Sequence, residues 1–367
     1  MRLIDKIKKM GSLLILSTCC LTSCNFLDVV PPEQAGLGDA VKKPESTLGF
    51  LYSCYAGIKG SSNPITYTGM EAASTDEFVF PELWGHSGQR AGWGLLTPES
   101  PGDWKWGNIY RYIGQCYLFL SQLPNALDVS EVQKREWTAE ANFLIAYYHF
   151  LILEYYGPCP ITDSYIDMDT PNNEYHGRYH FDYVTSWISM KLDEAAKDLP
   201  ASRIGSEWGR ATSTIAKAVK AQLLLLAASP LFNGNSDYIN VKDNQGRHLF
   251  PTQVDNSKWK LAADAALEAI NCAKENGHEK LYTFSLPINS ISAATRKLLD
   301  IGEAVTEKWN EEIIWGSTRN VNGLQTAAMA KHTKGNNYNA RSVLGPTLSV
   351  AEAFYSSNGV PISEDNS

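Results

Sequence analysis

The 367 residues contain none of the short signatures that announce common chemistries. There is no G-x-x-x-x-G-K-S/T, no G-x-G-x-x-G after a strand and no H-E-x-x-H, which removes the main support for nucleotide binding and zinc proteolysis. The stretch "GHSGQ" from Gly85 fails the G-x-S-x-G nucleophile elbow because its fifth residue is Gln89. Basic charge is also short, at 32 Lys and Arg against 40 Asp and Glu. Residues 1 to 23 hold four of the basic and one of the acidic residues, so the remainder has 28 against 39, a net of −11. A nucleic-acid partner needs a basic face for its phosphates, and that balance argues against one.

Paired cysteine is missing as well. Of seven cysteines, Cys19, Cys20 and Cys24 lie near the start, leaving Cys54, Cys116, Cys159 and Cys272 widely spaced. No C-x-x-C pair suggests zinc or a redox dithiol, so buried single thiols are expected. An exported protein could still pair them.

Long apolar runs are absent from the start of the chain. Arg2, Lys6, Lys8 and Lys9 precede "GSLLILSTCCLTS", well below the roughly 20 apolar residues of a membrane-spanning helix. A basic flank and a short apolar core read as a secretory signal, excluded from the fold. It ends in "LTSC", which resembles the lipobox of bacterial lipoproteins, whose cysteine thiol receives diacylglycerol. Cys24 is therefore the expected lipidation site and mature amino terminus. With acyl chains contributing about 0.8 kcal/mol per buried methylene, the chain is anchored and does not span. Residues 24 to 34 then form a tether, extended by Pro31 and Pro32, and residues 35 to 367 one domain.

What the body does contain is helical periodicity. "WGNIYRYIGQCYLFLSQLPNAL" places Ile109, Ile113, Cys116, Leu120 and Leu123 on one face, ending before Pro124. A second stripe runs Ala139, Phe143, Ala146, Phe150 and Leu153 and stops at Gly157 and Pro158. Further stripes are Phe181, Val184, Ile188, Leu192, Ala195 and Leu199; then Ile215, Val219, Gln222, Leu223 and Leu226; then Trp259, Ala262, Ala266 and Ile270. Alanine among large residues lets helices approach closely. The three helix-pair units start near residues 107, 181 and 258, a spacing above the roughly 34 residues of a plain tetratricopeptide repeat, so long insertions are expected. The predicted class is mostly α, with "EEIIWGS" from Glu311 as a short buried strand.

Residues 57 to 106 lack any period and form a Gly- and Pro-punctuated excursion, of the kind that usually carries function. Within it lie Asp76, Glu77, Trp84, Arg90 and Trp93, with Asn336, Asn337 and Tyr338 in a second irregular segment downstream. Sugar rings offer apolar C–H faces to aromatic planes and hydroxyl rims to Asp, Asn and Arg. Trp and Tyr serve the same way at protein interfaces, and local packing is the plainer expectation for each Trp taken singly.

Other chemistry finds weaker support. His176 and His180 are four apart in "HGRYH", yet Gly177 and the adjacent Pro171, Asn172 and Asn173 favour a solvated loop over a rigid metal site. Asp167 and Asp169 offer oxygen to a structural calcium, without the glycine of an EF-hand. A glycosidase holds two carboxylates about 5 to 10 Å apart across a cleft. Asp76 and Glu77 are neighbours, which in an extended loop point opposite ways. No cofactor is expected.

Ordered motifs then give a resemblance. "TAEANFLIAYYHFLILEYYGPCPIT" looks like A-E-A-x-F-L-R-A-x-Y-Y-F-x-L-x-x-x-Y-G-x-x-P, with Ile145 where Arg is common, and "GRATSTIAKAVKAQLLLLAASPLFNG" resembles R-A-T-x-x-A-A-x-A-L-x-A-R-x-x-L-Y. "WKLAADAALEAI", "NEEIIW" and "LSVAEAFYSSNGVPI" follow in family order. Together with the lipobox, the chain resembles the SusD/RagB outer-membrane lipoproteins of Bacteroidota. The resemblance implies a tetratricopeptide-like scaffold, a lipid anchor at the outer face of the outer membrane, oligosaccharide capture without catalysis, and a SusC-like TonB-dependent transporter as partner. Some relatives handle peptides, so a peptide- or protein-binding scaffold of the same complex is the alternative. Family members continue beyond the "NGVPI" element, whereas this chain ends at Ser367, which implies a C-terminally truncated domain. Of the family's variable sugar-contacting residues, only "TDE", Arg90 and Trp93 find a counterpart.

Overall fold

The structure, a computed structural model, describes residues 36–58, 75–79, 87–97, 99–100, 105–167, 169–171, 174–278, 280–285, 291–317 and 345–365, with backbone only for 87–89. Cys24 and the signal and tether segments lie outside these residues, as do Trp84, Asn336, Asn337 and Tyr338. The helices are α1 (Pro44–Cys54), α2 (Ser87–Gly92), α3 (Lys105–Gln122), α4 (Glu131–Tyr156), α5 (Phe181–Asp198), α6 (Ser213–Ala228), α7 (Ser257–Glu275), α8 (Ala293–Thr306) and α9 (Leu348–Glu352). Two short strands, β1 (Phe78–Val79) and β2 (Gly345–Pro346), pair antiparallel. The described residues are mostly α-helical, as the sequence periodicity predicts.

From α3 to α7 each helix packs against the next, and α1 lies on α3 and also reaches α4. At the start of α4, Ser130 Oγ accepts from Gln133 N at 3.2 Å while Gln133 Oε1 accepts from Ser130 N at 3.1 Å, so two otherwise orphaned donors are satisfied. Its end is Gly157 at φ +67, a conformation that a side chain would resist. Between these stops every residue from Ala139 to Leu153 except the half-buried Asn142 is buried, not one stripe alone, because α1, α3, α5 and α6 pack around it. Burying one large apolar side chain is worth roughly 1.5 to 3 kcal/mol, so this helix contributes more to the core than any other.

The stripe of α5 is buried as the spacing predicts, from Phe181 through Leu199. On α3 the buried position is Phe119, not Leu120, and Phe119 meets Phe50 of α1 edge to face at 5.4 Å. On α6, Gln222 is exposed and Leu226 half-buried, while Ala216 and Ala227 take their places in the core. The largest correction is on α7, where Ala262, Ala265, Ala269 and Cys272 are buried but Trp259 and Ile270 are 45% and 50% exposed. Close packing against α6 selects the small residues, since a bulky stripe would push the helices apart.

"EEIIWGS" is turn, not strand, because no neighbouring strand pairs with it among the described residues. Ile313 N donates to Asn310 O, and the Trp315 indole N–H donates to Gly209 O at 3.0 Å. Cys54, Cys116, Cys159 and Cys272 are buried and unpaired. Helices α1 and α8 and the β1–β2 pair are not apparent from the sequence periodicity.

Candidate functional site

The long excursion after α1 is tied to the far end of the chain. Phe78 faces Pro346 and Val79 faces Gly345, and beyond the ladder Thr347 N donates to Glu77 O at 3.0 Å. The Thr347 hydroxyl donates to Asp76 O and accepts from Val350 N at 3.3 Å, capping α9. Asp76 and Glu77 are both exposed, and their carboxylates meet no protein donor among the described residues. They sit at the junction of two segments some 270 residues apart in sequence.

Arg90 and Trp93 belong to a tight turn at the end of α2. Leu95 N donates to Arg90 O at 2.8 Å and Gly94 N to Ala91 O at 3.0 Å. The Arg90 guanidinium closes the loop, donating to Leu95 O at 3.3 Å and Ser100 Oγ at 3.0 Å. These bonds use Nη2 and brace the turn that carries Trp93. Trp93 is 53% exposed, so about half of it stays open to solvent. An aromatic plane held outward on a braced turn is a ready stacking surface.

The other polar candidates have structural employment. His180 caps α5, its Nδ1 accepting from Asp182 N at 3.2 Å, and His176 packs near the Tyr179 ring. Asp167 Oδ1 accepts from Asp169 N at 2.9 Å in a local turn. No group of three or more His, Cys, Asp or Glu able to hold a metal occurs among the described residues.

A buried ionic cluster was not legible as such in the sequence. Glu140 of α4 is fully buried and receives Arg203 Nη2 at 2.8 Å, Arg210 Nε at 3.1 Å and the Tyr55 hydroxyl. Arg203 also reaches Glu136 at 2.6 Å and Arg210 reaches Glu207 at 2.5 Å. Ala211 N donates to the Tyr55 hydroxyl at 2.9 Å. The signal was present in two halves, Glu140 in "TAEANFL" and Arg210 in "GRATS". Nearby on α4, His149 donates from Nδ1 to Ile145 O at 2.8 Å and accepts from Thr162 N at 3.1 Å. Burial pushes its pKa down to about 4, so the ring is neutral at pH 7.

Known proteins match this chain in sequence and fold. The profile of a family described as "Starch-binding associating with outer membrane" matches residues 53–224. The solved structure of BT4246 is 40% identical, with a TM-score of 0.77, over 89% of this chain and 59% of its own. The two matches support membership of the SusD/RagB family. A SusD-like protein (BF3747) from Bacteroides fragilis NCTC 9343 shares the fold at 18% identity and a TM-score of 0.60, over 89% of this chain and 57% of that one. A SusD-like carbohydrate binding protein (BF0978) from the same strain shares it at 17% and 0.57, over 89% and 56%. A search of curated proteins finds no match. The chain spans somewhat under three-fifths of the length of these SusD-like structures. Glu140 of the A-E-A segment and Arg210 of the R-A-T segment each supply part of one buried ion cluster.

Proposed function

We propose that this chain is a cell-surface glycan-binding lipoprotein. Lipidated Cys24 anchors it to the outer membrane, and its loops capture oligosaccharide for a SusC-like TonB-dependent transporter, breaking no bond. The observation that carries the reading is the exposed Trp93 on its Arg90-braced turn. The exposed carboxylates of Asp76 and Glu77 supply hydrogen-bond acceptors in the same excursion, as a sugar's hydroxyl rim requires. The starch-binding description of the family supports the ligand class, and its outer-membrane description supports the location. No helix among the described residues is long and apolar enough to cross a membrane, and an acyl anchor asks for none.

A protein- or peptide-binding role in the same complex draws on one observation, the exposed Trp259 and Ile270 of α7. The readings separate when the purified chain is screened by affinity electrophoresis against neutral polysaccharides and, in parallel, by peptide array. Retarded migration in a polysaccharide gel, with no release of reducing ends, supports glycan capture; peptide binding alone contradicts it.

A further inference from the structure

A second aromatic site lies away from the loop candidates. Between the segment after α5 and the segments flanking α8 is a cavity of about 560 Å³, within the size range of small-ligand sites. Trp208 and Trp309 line it, stacked at 4.7 Å between ring centroids and 27° between planes. Neither indole N–H meets a protein acceptor among the described residues, although the neighbouring Trp315 indole does.

The walls are locked without help from a ligand. The Tyr282 hydroxyl donates to Glu307, and Tyr282 N donates to Glu312 Oε1 at 2.7 Å. His278 Nδ1 donates to Glu311 O at 2.8 Å. Asn310, almost fully buried, donates to Ala304 O at 2.8 Å and Glu307 O at 3.0 Å, and accepts from Glu312 N. These bonds hold the residue before Asn310 in an unfavourable state. Trp309 sits at φ +60, a left-handed conformation rare for a bulky side chain. Gly316 makes room for its ring, since a Cβ there would lie 2.8 Å from Trp309 Cζ3. Backbone strain held by a rigid surround is a mark of ligand clamps.

The charges select the ligand class. Arg203 and Arg210 both border the cavity, yet their guanidinium groups are committed to Glu136, Glu140 and Glu207. An anionic sugar or a phosphate would find no spare arginine there. A neutral sugar ring needs only an aromatic plane and a few hydrogen-bonding groups, which Trp208, Trp309 and Thr283 provide.

We propose that this cavity is a second saccharide site, taking one neutral pyranose unit of an oligosaccharide beside the Trp208–Trp309 pair. It shares a ligand class with the Trp93 loop but none of its residues.

The test uses the full chain with its tryptophans replaced by 5-fluorotryptophan, resonances assigned by Trp93→Phe, Trp208→Phe and Trp309→Phe. Fluorine spectra are recorded on titration with maltohexaose, laminarihexaose, cellohexaose and xylohexaose, and with oligogalacturonate and a mixed peptide pool as controls. At least one neutral sugar should move the Trp208 and Trp309 resonances saturably, and should do so also in Trp93→Ala. Trp309→Gly removes the ring at a backbone angle glycine accepts, so it should fold and weaken that binding by about tenfold or more. A sugar that moves Trp93 but neither Trp208 nor Trp309 overturns this site and leaves the loop reading standing. Movement of Trp208 and Trp309 without Trp93 supports it and removes the loop reading. Response only to oligogalacturonate or peptide, or to nothing, overturns it.

Discussion

Glu140 Oε1 and Arg210 Nη2 lie 2.5 Å apart in a site closed to solvent, joining α4 to the residues just before α6. Removing one partner from such a pair leaves charge uncompensated in a medium that solvates it poorly.

Glu140→Gln should therefore destabilise the chain by about 3 kcal/mol or more, because Arg203 and Arg210 both lose their buried partner. Glu136→Gln should cost about 1 kcal/mol or less, since that side chain is 27% exposed and water compensates it. Thermal melts of the two variants check the contrast; equal losses would contradict the central role of Glu140.

Tyr55→Phe removes a donor to Glu140 and an acceptor for Ala211 N. Leaving a buried amide unsatisfied should cost about 1 to 3 kcal/mol, read in denaturant melts.

The alanine interface of α7 is tested by a pair of variants on one helix. Ala265→Leu should destabilise by about 1 to 3 kcal/mol through overpacking against α6. Ile270→Ala, at a half-exposed position, should change stability by roughly 0.5 kcal/mol or less. The order would reverse if the bulky stripe faced the core.

That pair also shows how far the sequence could be read. Helix existence followed from periodicity in α3 to α7, because large apolar residues recurring every three or four positions leave few alternatives. The rotation of α7 did not, because alanine stripes overlap on a helix where Ala262, Ala265, Ala266 and Ala269 all fall close together. Trp93 was legible as a candidate from its polar, aperiodic surroundings. Its partner segment was not, since the β1–β2 pair and the Thr347 bonds join residues about 270 positions apart. The bracing role of Arg90 was not legible either, since its bonds to Leu95 O and Ser100 Oγ depend on how the loop folds back on itself.

His149 makes stability depend on pH. Its folded pKa is near 4, below its ordinary value near 6.5, so the unfolded chain binds a proton that the folded chain refuses. Its contribution is intact above pH 6.5 and is lost as pH falls from 6.5 towards 4, by up to about 3 kcal/mol. Melting temperatures at pH 7 and 5 should differ less in His149→Leu than in the parent; an unchanged difference would exclude this residue as the source.

Gly234 sits at φ +74 with Val254 N only 2.5 Å from where a Cβ would stand. Gly234→Ala should cost roughly 2 kcal/mol or more, from the left-handed backbone and a clash with main chain that cannot swing aside. A neutral thermal melt would contradict that close approach.

Glycan capture by the braced loop is tested most directly by calorimetric titration of the parent chain and Trp93→Ala with a polysaccharide-derived oligosaccharide that retards the chain in a gel. We expect saturable binding, weakened by about 1 to 3 kcal/mol in the variant, with both proteins melting at the same temperature. Equal affinity of the two proteins would contradict capture at Trp93.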